Sequence, residues 1–197
     1  MRLRKGDIET NAFSVRSFDA DIPLQDYRAL PKLPLYFVLD NLRSAFNVGS
    51  IFRLCDGLRV KGLLLGGYTA HPPHVKLAKT SLGTIDYVPW QHFASTLDAV
   101  AWLKQRRIAL WAAETSSNAV PYFDAPWPDE VAVVFGNEAL GVSREVLDVC
   151  ERVVELPLYG YKNSVNVAAA AAVVGFRFAE HVSRTKGKAP VPLPRGP

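Results

Sequence analysis

The chain has 197 residues, enough for one substantial hydrophobic core, and a composition of 49% hydrophobic and 21% charged residues excludes a disordered or fibrous protein. The formal net charge is +4, from 23 lysines and arginines against 19 acids, but seven of those bases (Arg2, Arg4, Lys5, Arg184, Lys186, Lys188 and Arg195) stand at ends that carry no acid, which leaves 16 bases against 19 acids between them. The body is therefore slightly acidic and the tails are basic, so any phosphate contact has to come from local clusters or from the tails.

Residues 1–34 are broken by Pro23, Pro31 and Pro34 and are too few to bury a core, so they read as an ordered lead-in. The apolar run 35–39 predicts a buried strand, 48–54 a helix, and 62–66 a second strand. A stretch holding Pro72 and Pro73 leads to a short helix over 75–81, then 85–88 predicts a strand, 97–105 a helix and 108–112 a strand. Past a proline-rich loop at 121–128, residues 131–135 form the most strand-like run, followed by a helix at 143–149, a strand at 152–156 and a last helix over 164–181. Continuous apolar strands alternating with helices predict an α/β fold with a mainly parallel sheet covered by helices on both faces. Ligands in such folds bind at the loops beyond the carboxyl ends of the strands. A single domain over 35–183 is expected, with 184–197 as a disordered basic, proline-rich tail.

Several chemistries find no support. Cys55 and Cys150 lie far apart and the four histidines (His71, His74, His92, His181) add no ligand spacing, which predicts reduced structural thiols and no metal site. No GxGxxG follows the first strand and no P-loop occurs. The first residues are polar with no apolar run behind them, and the stretch 165–179 is short and holds Arg177, so neither a signal peptide nor a membrane span is expected and a cytoplasmic location is the simplest outcome.

Three segments at predicted strand ends carry the functional signal. In the first, Asn47 and Gly49 sit where a helix should begin, with Gly49 allowing close approach of backbone or ligand. Arg53 follows on what should be the first turns, where a cation gains nothing from the helix dipole and suggests a phosphate or carboxylate partner. The plainer reading makes Asn47 a helix cap and Arg53 half of a surface ion pair. In the second, Gly136, Glu138 and Gly141 follow the strongest strand as a ligand loop would, with Gly136 open to a cofactor against its backbone; an ordinary turn, with Glu138 in solvent or capping the helix near Ser143, is the alternative. In the third, Leu156, Leu158 and Gly160 run into Ser164 and Asn166 and then a helix of alanine and valine, whose small residues allow close packing and whose first turn offers free N–H groups to an anion, unless Ser164 is only its cap.

Together, in this order and spacing, the three segments resemble the motifs of the SpoU/TrmH-like RNA methyltransferases, the ribose-methylating branch of the SPOUT superfamily, over about residues 35–182. The motifs are Asn47, Gly49 and Arg53; Phe135 to Glu138 with Gly141; and Leu156 to Gly160 with Ser164 to Val167. Pro72, Pro73 and His74 with Lys79 to Gly83 look like a compact subgroup. The resemblance implies a deep trefoil knot near the C-terminus, S-adenosylmethionine held bent in the knot loops, and an active site shared across a homodimer. It places the donor against Glu114, Gly136, Leu156, Leu158 and Val165, and the polar groups Arg53, Asn47, Glu138, Ser164 and Asn166 around the methyl acceptor. The family's usual methionine is here Leu158, and its Ser-Leu-Asn-Val-Ser run is here Ser164 to Ala168 with valine and alanine at the second and last places.

The activity so implied is 2'-O-methylation of ribose in tRNA or rRNA, tRNA being favoured by the compact body. Arg53 would position the hydroxyl and its phosphate, Glu138 and Asn47 would orient that arginine, and Arg43, Lys76, Lys79 and Lys162 would meet the RNA with Tyr159 and Tyr161 nearby. The alternatives are a related enzyme acting on an RNA base, a silent RNA-binding dimer, and a small-molecule α/β enzyme that matches the motifs by coincidence.

Overall fold

The longest apolar runs lie side by side in a seven-stranded sheet whose neighbouring strands are all parallel. The computed structural model describes residues 19–187 and 190–193. The basic residues expected at the N-terminus, and the tail at 188–189 and 194–197, lie outside the described residues. In chain order come α1 (Leu24–Ala29), β1 (Leu33–Asp40), α2 (Ala45–Leu58), β2 (Val60–Gly66), α3 (Val75–Ser81), β3 (Trp90–Phe93), α4 (Thr96–Gln105), β4 (Ala109–Ala113), β5 (Val120–Pro121), β6 (Val131–Phe135), α5 (Arg144–Leu147), β7 (Arg152–Glu155) and α6 (Val167–Lys186).

The strands lie in the order β3-β2-β1-β6-β4-β7-β5. The chain builds outward from β1 through β2 to β3, then returns to the other side, and β6 inserts between β1 and β4. That reversal sets the carboxyl ends of β1, β6, β4 and β7 next to one another, the position at which open α/β sheets bind ligands.

Both faces of the central strands are covered, which is why their sequences are apolar without alternation. Leu33, Leu35, Phe37 and Leu39 of β1 and Val131, Val133 and Phe135 of β6 pack on one face with Val48, Ile51 and Phe52 of α2 and Ala171, Val174 and Phe178 of α6. On the other face, Val38, Ala132 and Val134 meet Ala99, Val100 and Leu103 of α4 and Val146 of α5. Each such leucine or phenylalanine contributes about 1.5–3 kcal/mol by burial, so the sheet is a stiff floor for the loops at its edge.

Several predicted elements move. The strand expected at 85–88 is instead a 3-10 turn, Thr84–Asp86, and the edge strand forms later at Trp90–Phe93. Leu82 and Gly83 are both left-handed (φ 50° and 86°) and turn the chain before an extended run can start. The proline-rich loop opens with a two-residue edge strand at Val120–Pro121 that pairs with β7, where a missing N–H is tolerated. The expected helix at 143–149 is a single turn, Arg144–Leu147. Helix α6 continues to Lys186, past the expected tail boundary at 184, and Gly187 closes it in a left-handed conformation. Beyond it, the Val191 carbonyl accepts a hydrogen bond from the Arg59 guanidinium.

Candidate nucleotide and methyl-donor cleft

The first motif folds one turn earlier than its sequence suggests. Ser44, not Asn47, is the N-cap of α2, its Oγ accepting from Asn47 N at 3.3 Å. The helix therefore starts at Ala45, and Arg53 falls past its middle rather than on the first turns, so the dipole argument for its placement does not apply. Gly49 serves close backbone approach: a Cβ there would lie 1.9 Å from Thr80 Oγ1 of α3. Asn47 at the third helical position is free to use its side chain elsewhere.

It uses it to join the other two motifs. Glu138 Oε1 accepts from Asn47 Nδ2 at 2.9 Å and from Ser44 N at 3.1 Å, and Glu138 Oε2 accepts from Arg43 N at 2.9 Å. A carboxylate thus sits on the otherwise unpaired N–H groups at the start of α2, where the helix dipole favours negative charge. Burial alone would raise the Glu138 carboxyl, but the hydrogen bonds from Arg43, Asn47 and Ser44 outweigh it and hold the group below the usual glutamate range. Glu138 therefore neither caps the helix near Ser143 nor points to Arg53. On its other side, Asn47 Oδ1 accepts from Asn166 Nδ2 at 3.0 Å. Asn166, rather than Ser164, caps α6, its Oδ1 accepting from Ala168 N and Ala169 N at 2.9 and 3.3 Å.

The second loop is closed by its own backbone: Asn137 N donates to Gly141 O and Gly141 N to Asn137 O, at 2.9 and 2.8 Å. A Cβ on Gly136 would come within 2.1 Å of the Gly141 and Val142 backbone, so this glycine is required by the loop itself before any cofactor is considered. Glu114, beyond β4, ties in the next loop, accepting from Val142 N and from Thr115 N, each at 2.9 Å.

These loops enclose a cleft of about 1040 Å³ whose walls include Asn47, Glu114, Gly136, Glu138, Leu156, Leu158, Lys162, Ser164, Val165 and Asn166. Leu156, Leu158, Val165 and Val154 give it an apolar side and the hydrogen-bonded carboxylates and amides a polar one. Arg53 is not among its lining residues; it is exposed on α2, and among the described residues it makes no hydrogen bond and not the surface ion pair that the plainer reading offered. At 100° per residue, Arg53 shares a stripe with Phe46 and Ser50 and points well away from Asn47. Arg43, Lys76 and Lys79 are exposed outside the cleft, and Lys162 is exposed at its wall.

Two structural residues escaped the sequence reading. Asp40, at the end of β1 and 1% exposed, accepts from Thr96 Oγ1 at 2.6 Å, Asn41 Nδ2 at 2.9 Å and Ser143 N at 2.7 Å, joining β1 to the starts of α4 and α5. Asn137 holds its own loop, with Oδ1 accepting from Ala139 N and Leu140 N and Nδ2 donating to Asn41 O. An acid closing an apolar run and an asparagine between glycine and glutamate were the available signals.

Both thiols lie outside the cleft. Burial pushes the Cys55 thiol well up and the Cys150 thiol up to about 12, so neither is an activated nucleophile. Among the described residues no group of three or more His, Cys, Asp or Glu is placed to hold a metal, and no helix is long and apolar enough to cross a membrane.

The sequence profile of the SpoU rRNA methylase family matches residues 34–176. The chain belongs to that family. A Staphylococcus haemolyticus protein assigned to the TrmH family of tRNA/rRNA methyltransferases is 30% identical over 156 residues, covering 79% of this chain and 62% of that protein. The chain thus spans less than two thirds of such curated relatives. Among solved structures, the SpoU methyltransferase AviRb of Streptomyces viridochromogenes is 26% identical with a TM-score of 0.72, covering 87% of this chain and 66% of that one. An AdoMet-bound rRNA methyltransferase of Sinorhizobium meliloti is 25% identical with a TM-score of 0.69, covering 82% and 61%. The parallel sheet and its strand-end loops are therefore the fold of the SPOUT methyltransferases that the motifs resembled.

Proposed function

We propose that this SpoU-family chain is an S-adenosylmethionine-dependent RNA methyltransferase that modifies a ribose 2'-oxygen in tRNA or rRNA, in the cytoplasm, as a homodimer whose strand-end loops are threaded as a deep trefoil knot. The observation that carries this reading is the hydrogen-bonded series Glu138, Asn47, Asn166, which fastens all three motifs to the rim of one cleft.

The cleft suits the donor. Its volume leaves ample room for a ligand of nucleoside size, and Leu156, Leu158 and Val165 offer apolar contact to an adenosine and a thioether chain while loop backbone groups remain for polar ends. The S. meliloti structure holds AdoMet, and so does a second structure of the S. viridochromogenes enzyme at 26% identity and TM-score 0.72. Once bound, S-adenosylmethionine supplies a methyl group made electrophilic by its sulfonium.

What the chain must add is alignment and a path for the hydroxyl proton. Glu138 and Asn47 hold the start of α2 rigid beside the cleft, and Ser164 faces the cleft without a cap to make. Arg53 lies outside the cleft of its own chain, so it acts from the partner subunit in this reading. A guanidinium is a fork of five donors and a poor proton acceptor, which favours clamping the phosphate next to the target ribose over acting as a base. Pairing of two copies is supported by exposed aromatics on two helices that pack together: Phe46 of α2 is 58% exposed and Phe176 of α6 is 60% exposed. Exposed Arg43, Lys76, Lys79 and Lys162 are then available to the RNA backbone.

Nucleotide-resolved mapping of 2'-O-methyl groups in tRNA and rRNA, from cells with and without the protein, tests the reading. One ribose position should lose its methyl group in the deficient cells and regain it on adding protein and donor. A changed base methylation, or no change at any nucleotide, contradicts it.

A further inference from the structure

Tyr68 plays no part in the reading above, yet its setting is unusual for an exposed aromatic. The ring is 62% exposed, while its hydroxyl accepts a 2.7 Å hydrogen bond from Nδ2 of Asn137, a residue only 6% exposed. The backbone beside it is equally fixed. Tyr68 N donates to Asn41 Oδ1 at 3.3 Å, and the buried Thr69 hydroxyl bridges the Gly66 carbonyl and the Leu42 N–H at 2.7 and 3.0 Å. Asn137 lines the cleft and Tyr68 does not, so the hydroxyl end of the ring lies one hydrogen bond from the cleft wall.

A tyrosine that needed only apolar burial would turn its ring inward. Here the ring is tethered by its outer edge with most of its surface in water, so the side-chain freedom that stacking would cost has already been given up. Every nucleobase has a π-face that such a ring can take, and the adjoining turn carries the exposed cation Arg43. Resting on the RNA reading above, we infer that Tyr68 is the platform on which one base of the substrate RNA stacks at the entrance of the cleft, with Arg43 meeting the neighbouring phosphate.

The test uses the full chain with tRNA and rRNA fractions from cells lacking the protein, measuring methyl transfer against RNA concentration, RNA retention on filters, and donor affinity by calorimetry. Tyr68→Ala should raise the RNA KM and the RNA Kd by roughly 5- to 100-fold, with a smaller change in kcat and none in donor affinity. Tyr68→Phe, which lacks the tether but keeps the ring, and Tyr68→Trp should retain most of the RNA affinity. If Phe is as damaging as Ala, Tyr68 is a brace for Asn137 and the inference is overturned. It is also overturned if Ala leaves the RNA KM unchanged while the wild type is active, or if Ala alters the oligomeric state, which assigns the ring to a subunit contact. A wild type that neither retains RNA nor methylates it removes the RNA reading itself, a result distinct from all of these.

Discussion

Helix α2 contributes to two surfaces that the chain treats differently. Around its first turn, the polar groups of Arg43, Ser44 and Asn47 meet Glu138 and Asn166, residues from both other motifs, and nothing beyond the chain is needed to hold them. Along its outer stripe, Phe46 and Arg53 stay exposed, and Arg53 has no partner among the described residues. These bonds at the cleft rim are all made within one chain, whereas in the proposed dimer the exposed arginine of the same motif would serve the partner's cleft. A motif that is contiguous in sequence is thus divided in space between the cleft rim, where Asn47 lies, and an exposed stripe, where Arg53 lies.

Removing Arg53 attacks the exposed side of this contrast. Arg53→Ala should lower methyl transfer by about 10²- to 10³-fold, the usual loss when a charge-stabilising group is removed from a reaction centre, with donor affinity by calorimetry unchanged because Arg53 lies outside the cleft. A parallel loss of donor affinity would place Arg53 in the cofactor site and erase the distinction.

The exposed aromatics come next. Phe176→Asp sets a charge on the exposed face of α6 and should convert the proposed dimer to a monomer in sedimentation, with methyl transfer falling alongside while thermal stability of the fold changes little. A dimer that survives moves the subunit contact elsewhere.

The smallest effect is expected at the self-sufficient side. Glu138→Gln weakens a clamp on the start of α2 and should cost roughly 0.5–2 kcal/mol, toward the low end because the carboxylate is exposed, and it should lower turnover more than donor affinity. Because the folded-state carboxyl titrates below the ordinary glutamate value, its stabilisation is fully present above that value and is lost as the pH falls through the folded one. The difference in stability between wild type and Glu138→Gln should therefore hold constant from neutrality to about pH 5 and vanish in stronger acid. A gap that persists there assigns the effect to packing.

The same contrast governs what the sequence could show. Runs such as 131–135 and 35–39 were legible because a strand covered on both faces leaves no polar position to confuse it. The edge strand β3 was not, since Gln91 and His92 break its apolar character while Ile85 and Val88 mimic a strand just upstream. Motif residues were legible as a set through family resemblance, and twelve of them do line one cleft. Their individual bonds were not: the link from Glu138 to Asn47 spans 91 positions and that from Asn47 to Asn166 spans 119. No local spacing encodes such pairings. The start of α2 was a local miss: Ser44, three positions before Asn47, takes the cap and so moves Arg53 from the first turns to past the middle of the helix.

Complementation between two inactive variants tests the divided site most directly. Arg53→Ala keeps a sound cleft, and Leu158→Trp fills the cleft while keeping Arg53. When the two are unfolded together and refolded as a mixture, a site shared across a two-fold axis regains methyl transfer to about a quarter of the wild-type level, since half the dimers are mixed and each holds one intact site. A mixture that stays as inactive as its parents contradicts the account, for it places Arg53 and the cleft it serves in the same chain.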